Sequence, residues 1–376
     1  MPRNEQPTRT ALSGMSRRSF LTMPAVAAGA AALGLPGARM AFAQGGSVTA
    51  VMPGVFIPDA ARAVITSQTG IALENVPYVS PTDTLAKLLA PGGSSRYDLM
   101  ISVTEFVRGP VMGASAGSEN AMALDLSKIP NAQSIAPLFA DDIVTRDGNT
   151  YLLPLVWGYD SVIYNRDRLD EDSAMTQSWG VLFDDTNAGR VALRDDAYQS
   201  IMLTALHLGH EDPSAIDQSE LNEVISFLIS KKRNFRTLWT AFGEAVNLLA
   251  SGEVDALYGW ISMRAALAGQ GHNVANNWPS EGLLIWTQAG FIPADSPNAD
   301  AAHEVINSML SLEYGRALVE TTDYPTTSAE VAESFSAEDQ TRLGLDIAER
   351  GVKIVPMGFP ENLDSWIEAW GRFKAA

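Results

Sequence analysis

Twice along this chain, short apolar runs rich in strand-forming residues alternate with segments of helical period, and this alternation constrains the fold more than any other feature. In the first run, Val48 to Met52 is apolar, Pro58 opens a segment with Ala61, Val64 and Ile65 at helical spacing, and Ile71 to Val76 reads as a strand again. Thr82 to Leu89 is a further helix, and Tyr97 to Ile101 a further strand after a Gly-Gly-Ser-Ser turn. Residues 109–122, rich in Gly, Ala and Ser, read as a surface loop. The second run begins at Arg190-Val191-Ala192-Leu193-Arg194, a strand followed by Asp195-Asp196 where a helix from Ala197 needs its cap. It continues through a helix from Glu220 to Arg233 capped by Asp217 or Ser219, a helix from Phe242 to Ala250 and a strand from Val254 to Trp260. Leu283 to Trp286 is a buried strand, and Asn362 to Phe373 a last amphipathic helix. Strands alternating with helices require a mostly parallel sheet with helices on both faces, here in two α/β lobes.

Between the two runs lies Leu153 to Asn165, where proline, tryptophan and glycine precede an alternating apolar run. The pattern reads as a strand entering a turn and a second strand leaving it, as a crossing between lobes requires. Trp157 and Tyr159 at such a junction either offer an aromatic wall to a ligand or pack in the core.

The first residues read as an address. Ser16-Arg17-Arg18-Ser19-Phe20-Leu21 precedes a weakly apolar run from Pro24 to Leu35 and a small-residue site at Ala41-Phe42-Ala43, the order of a twin-arginine export signal over residues 1–43. Nothing later reaches the ~18 consecutive apolar residues of a membrane span. The chain has no cysteine. That excludes disulfides, thiolate metal sites, thiol catalysis and a lipid-modified cysteine, so a freely diffusing periplasmic protein is expected. The formal net charge is −18, and residues 1–43 carry five arginines against Glu5, so the remainder stands at −22. Such an excess repels nucleic acid and anionic membranes and favours cationic ligands, and it equally suits a solvated acidic surface.

Chemistry-bearing motifs are sparse. There is no Gly-x-Ser-x-Gly elbow, phosphate-cradling glycine loop or His-Glu-x-x-His. His207 and His210, followed by Glu211 and Asp212, imitate a metal site, but no third ligand is placed. No cofactor, metal or catalytic residue is expected.

Seven motifs in order carry a resemblance: Tyr97-Asp98-Leu99; Leu153-Pro154 to Trp157-Gly158; Ser178-Trp179 to Gly189; Asp195-Asp196-Ala197; Gly252-Glu253-Val254-Asp255; Trp278-Pro279-x-Glu281-Gly282 to Trp286; and Tyr324-Pro325-Thr326. From Val48 onward the chain resembles the spermidine/putrescine-binding proteins of ABC importers. The resemblance implies an α/β, two-lobed periplasmic-binding-protein fold with a hinge of several crossing segments, closing over one ligand. Lobe 1 is expected from 46–154 plus 288–325, and lobe 2 from 155–287 plus 326–376.

The same resemblance implies a site of aromatic walls and carboxylates. Trp286 and Tyr324 stand at its cleft aromatics, Trp260 at or next to another, Phe56 where a tyrosine is usual, and Asp196 at the first carboxylate of an Asp-x-x-Glu. Trp157 and Glu105 complete the ligand-binding set. Departures are informative: Gln199 replaces that motif's glutamate, Gln288 the aspartate after Trp286, Pro53 an early tryptophan, and Val103 and Glu105 a serine and a tyrosine. With two amine-binding carboxylates absent, a buried diamine is poorly compensated, and a ligand with one cationic and one polar or anionic end suits the site better. The expected function is a monomeric periplasmic binding protein that delivers a small cationic or zwitterionic amine to an inner-membrane ABC permease, with no nucleic-acid partner and no stable membrane insertion. The alternatives are an exported enzyme folded around a cofactor before twin-arginine export, and a binding protein reused as a sensor.

Overall fold

A computed structural model describes residues 46–376, and the export signal read over residues 1–43 lies outside the described residues. The described strands are β1 (Ser47–Met52), β2 (Ala72–Pro77), β3 (Leu99–Val103), β4 (Val144–Arg146), β5 (Asn149–Asn165), β6 (Val191–Arg194), β7 (Phe235–Trp239), β8 (Ala256–Trp260), β9 (Val274–Asn276), β10 (Leu283–Phe291) and β11 (Ile354–Pro356). They join in the order β2-β1-β3-β10-β5-β8-β6-β7, with β4 and β9 on β5 and β11 on β10. The outer arms are parallel, β2-β1-β3 at one end and β8-β6-β7 at the other. The centre is antiparallel, because β5 and β10 run against each other and through both arms. Alternation of helix and strand predicts the arms; it carries no information on this crossing.

β5 also corrects one expectation: it is a single strand of 17 residues, with no turn at Trp157-Gly158. Its proline and glycine have other causes. Pro154 lies opposite Ala289 where the β5/β10 register shifts, so its missing N–H falls at a bulge. Gly158 faces Trp286, and a Cβ there would stand 2.5 Å from the indole. Close approach, not reversal of the chain, requires the glycine.

Two large apolar clusters flank the crossing. One gathers Val191, Leu203, Leu228, Tyr258 and Trp366; the other gathers Val48, Ile65, Leu153, Val305 and Tyr314 and extends through Leu155 to Tyr159 and on to Val331, Leu343 and Ile347. Trp286 packs against both. A third segment crosses beside β5, where the Trp157 N–H donates to the Pro325 carbonyl and the Thr327 N–H to the Leu155 carbonyl. Helix starts follow their caps: Asp217 and Glu220 form a capping box on Gln218–Lys231, and Asp196 accepts from the Gln199 N–H at the head of Ala197–His207. Among the described residues no helix is long and apolar enough to cross a membrane.

Candidate functional site

The parallel arms aim the C-terminal ends of their strands at one cavity of about 380 Å³. Pro53 and Phe56 follow β1, Tyr78 follows β2, Val103 ends β3, Arg194 ends β6 ahead of Asp196, and Trp260 ends β8. Ligands of open α/β sheets bind at this edge because the loops there converge and helix N-termini face inward. The volume suits a small molecule.

Seven of the nine residues singled out from the sequence line this cavity: Phe56, Asp196, Gln199, Trp260, Trp286, Gln288 and Tyr324. Tyr324 meets Phe56 edge-on at 5.9 Å and Trp286 at 5.7 Å between ring centroids, and the Ser262 hydroxyl donates to its hydroxyl at 3.0 Å. Trp260 lies at right angles to Trp239, 5.5 Å away. Asp196 caps its helix through one oxygen at 3.0 Å while its carboxylate stays about one-third exposed in the cavity, so capping and lining are compatible. Gln288 is 93% buried, and its Oε1 has no hydrogen-bond partner among the described residues.

The other two residues lie elsewhere. Trp157 is in the core beside Phe139, and its Nε1 donates to the Thr326 carbonyl at 3.1 Å, so the crossing strand turns this ring inward. Glu105 lies in a neighbouring cavity with Arg108, Asp141 and Asp142, 3.3 Å from the Arg108 guanidinium. Burial raises its carboxyl above the ordinary value, with Arg108 opposing the shift. The histidine pair is also accounted for: His207 bonds Glu281 at 2.9 Å and stacks on Phe183, and His210 pairs with Glu220 at 3.4 Å. Among the described residues no group of three or more His, Cys, Asp or Glu side chains is placed to hold a metal.

The cavity contains residues that sequence reasoning missed. Tyr78 and Tyr198 add polar aromatic faces, and Arg194 lies over the Trp260 ring at 4.7 Å. Directly behind Trp286, the fully buried Asp160 accepts from the indole Nε1 at 3.0 Å and from the Tyr258 hydroxyl at 2.5 Å. Burial outweighs these bonds and pushes its carboxyl from 3.8 to about 7. The folded chain therefore binds a proton there that the unfolded chain has released, so this group's contribution to stability falls as pH rises from about 4 to about 7. Asp160→Asn should gain on the parent protein across that window, by up to a few kcal/mol at pH 8. Urea midpoints of both proteins at pH 4.5, 6 and 8 check this, and a difference that does not change with pH would refute it.

A cavity with aromatic walls at the strand ends of two α/β arms, spanned by crossing strands, defines a two-lobed ligand-binding protein. Residues 60–343 match the model of the bacterial extracellular solute-binding protein family, and the chain belongs to that family. It is 25% identical to the spermidine/putrescine-binding periplasmic protein 1 of Haemophilus influenzae, over 75% of this chain and 76% of that one. It is 26% identical to the putrescine-binding periplasmic protein PotF of Escherichia coli, over 65% and 67%. Among solved structures, the spermidine/putrescine transporter substrate-binding protein PotD of Streptococcus pneumoniae superimposes with a TM-score of 0.73 at 21% identity, covering 88% of this chain and 98% of that one. The two-lobed fold expected from the sequence is the fold of these neighbours, and the family is one of binding proteins, not of enzymes.

Proposed function

We propose that this chain is the periplasmic substrate-binding component of an ABC importer, and that it captures one small amine-bearing cation or zwitterion in the cavity and presents it to an inner-membrane permease. The observation that carries the reading is the convergence of four aromatic walls, Phe56, Trp260, Trp286 and Tyr324, with Asp196 and Gln288 in one cavity. Aromatic faces and a carboxylate attract an ammonium group strongly once water is displaced. The polyamine ligands named for the relatives support the same class. In this reading the parts formed by 46–154 with 288–325 and by 155–287 with 326–376 close as a hinge on β5, β10 and the segment at Pro325, and the ligand shifts the population by touching both. The protein acts as a monomer.

A thermal-shift screen with putrescine, spermidine, other amines and amino acids, followed by calorimetry, tests the function. A ligand at 100 times its dissociation constant adds about 2.7 kcal/mol of stability. Failure of every amine-bearing compound to stabilise the folded protein would remove the reading. Export is proposed to follow the twin-arginine route. Replacing Arg17 and Arg18 together by lysine should then reduce the periplasmic fraction by more than about tenfold, since receptors read such signals as addresses; fractionation and immunoblotting check it, and unchanged export would exclude the route.

A further inference from the structure

The charge inside the cavity does not fit a bare diamine. Arg194 and Asp196 are the charged side chains among its lining residues, so the lining is neutral overall. A dication entering it meets one carboxylate and one fixed cation.

Arg194 is also incompletely used by the protein. Its guanidinium lies over Trp260 at 4.7 Å and near Trp239 at 5.7 Å. One of its five N–H donors meets an acceptor among the described residues, the Gln199 Oε1. Its Nη2 stands 3.9 Å from Asp196 Oδ2, too far for a hydrogen bond, and that oxygen has no other donor among the described residues. The remaining Arg194 N–H donors are free for a ligand, and a guanidinium with free donors binds a carboxylate with two bonds. A guanidinium and a carboxylate side by side at this spacing complement a head group with carboxylate and ammonium on one carbon. The unpartnered Gln288 Oε1, on β10, calls for an N–H donor from the ligand as well.

We propose that Arg194 binds a carboxylate of the ligand while Asp196 holds the neighbouring ammonium, so that the ligand is an amino acid or an N-substituted amino acid and not a polyamine. The inference rests on the solute-binding reading above and narrows its ligand class. It gives Gln199 a role too, as the acceptor that holds the guanidinium in place.

The test uses matched pairs that differ by one carboxylate: ornithine and putrescine, lysine and cadaverine, arginine and agmatine. Calorimetry on the purified protein should show at least one amino acid binding ten or more times tighter than its decarboxylated partner. Arg194→Met should abolish or invert that preference, and Arg194→Lys, which keeps the charge without the fork, should fall between; the unliganded melting temperature of each variant reports folding separately. Diamines binding the parent protein as tightly as their amino acids would overturn the inference and leave the importer reading standing. So would an Arg194→Met variant that weakens both members of a pair equally, since that is what a purely structural arginine does. Binding by folded protein of none of the six compounds and of no N-carboxyalkyl derivative of the three amino acids would overturn the inference, and the amine reading falls with it only if the wider screen also finds no ligand.

Discussion

Trp286→Ala should lower affinity for the cavity's ligand on the order of 100-fold, the ~2–3 kcal/mol of a well-packed aromatic contact. The indole lines the cavity, meets Tyr324 edge-on and packs against both apolar clusters, so one side chain contributes to the ligand wall and to the crossing. Its loss also removes the donor to Asp160 Oδ1, leaving a buried oxygen unpaired beside a new void. The stability cost should be about 3–5 kcal/mol, enough to confuse a binding assay if measured alone. Trp286→Phe separates the two effects, because it keeps an aromatic face and loses only the N–H and part of the ring. Calorimetry and urea unfolding on both variants check this: the phenylalanine variant should recover most of the affinity and little of the Asp160 bond. Equal affinity in the parent and alanine proteins would show that the ligand sits elsewhere.

How much of this site could be read from the sequence depended on whether a residue's role was local. Asp196 stands at a helix start, and its cap geometry follows from its neighbours alone. The strand end at Trp260 and the chain break at Tyr324-Pro325 are likewise visible as pattern, whereas the strand at Trp286 runs on to Phe291, and the place of all three in a cleft came from ordered motifs resembling a known family. Asp160 was not legible. It is a single carboxylate in an apolar strand, and its partners Tyr258 and Trp286 lie 98 and 126 residues further along. An acid inside so apolar a stretch was itself the available signal, because a buried carboxylate needs donors. Arg194 reads as the polar end of a strand for the same reason: the Trp260 ring beneath its guanidinium arrives through β8, which joins β6 only in the folded sheet. Pro154 and Gly158 misled in the opposite direction. Both are strong turn signals, and here a bulge and a close ring contact absorb them inside one continuous strand.

That ring contact makes Gly158 the position where the smallest change should do the most. A Cβ at residue 158 would lie 2.5 Å from Trp286 Cζ2, 2.6 Å from Cη2 and 3.1 Å from Cε2. The indole has little room to withdraw, since its nitrogen is tied to Asp160, Tyr324 stands against it and its backbone is paired to Gly158 itself across the β5/β10 ladder. One methyl group must therefore either push the ring into the cavity or spread the two crossing strands. Gly158→Ala should cost about 1–3 kcal/mol of stability, in the range of overpacked cores, and Gly158→Val more. Both should weaken ligand binding at least tenfold, because the ring that moves is the ligand's wall. The cause is isolated by a double-mutant cycle with Trp286→Leu, which removes the atoms the new Cβ strikes. Gly158→Ala should then cost markedly less stability in the leucine background than in the parent. Additive losses would mean that the glycine serves the backbone and not the ring, and a neutral Gly158→Ala would mean that the two strands can separate freely at the point where the cavity's wall is anchored.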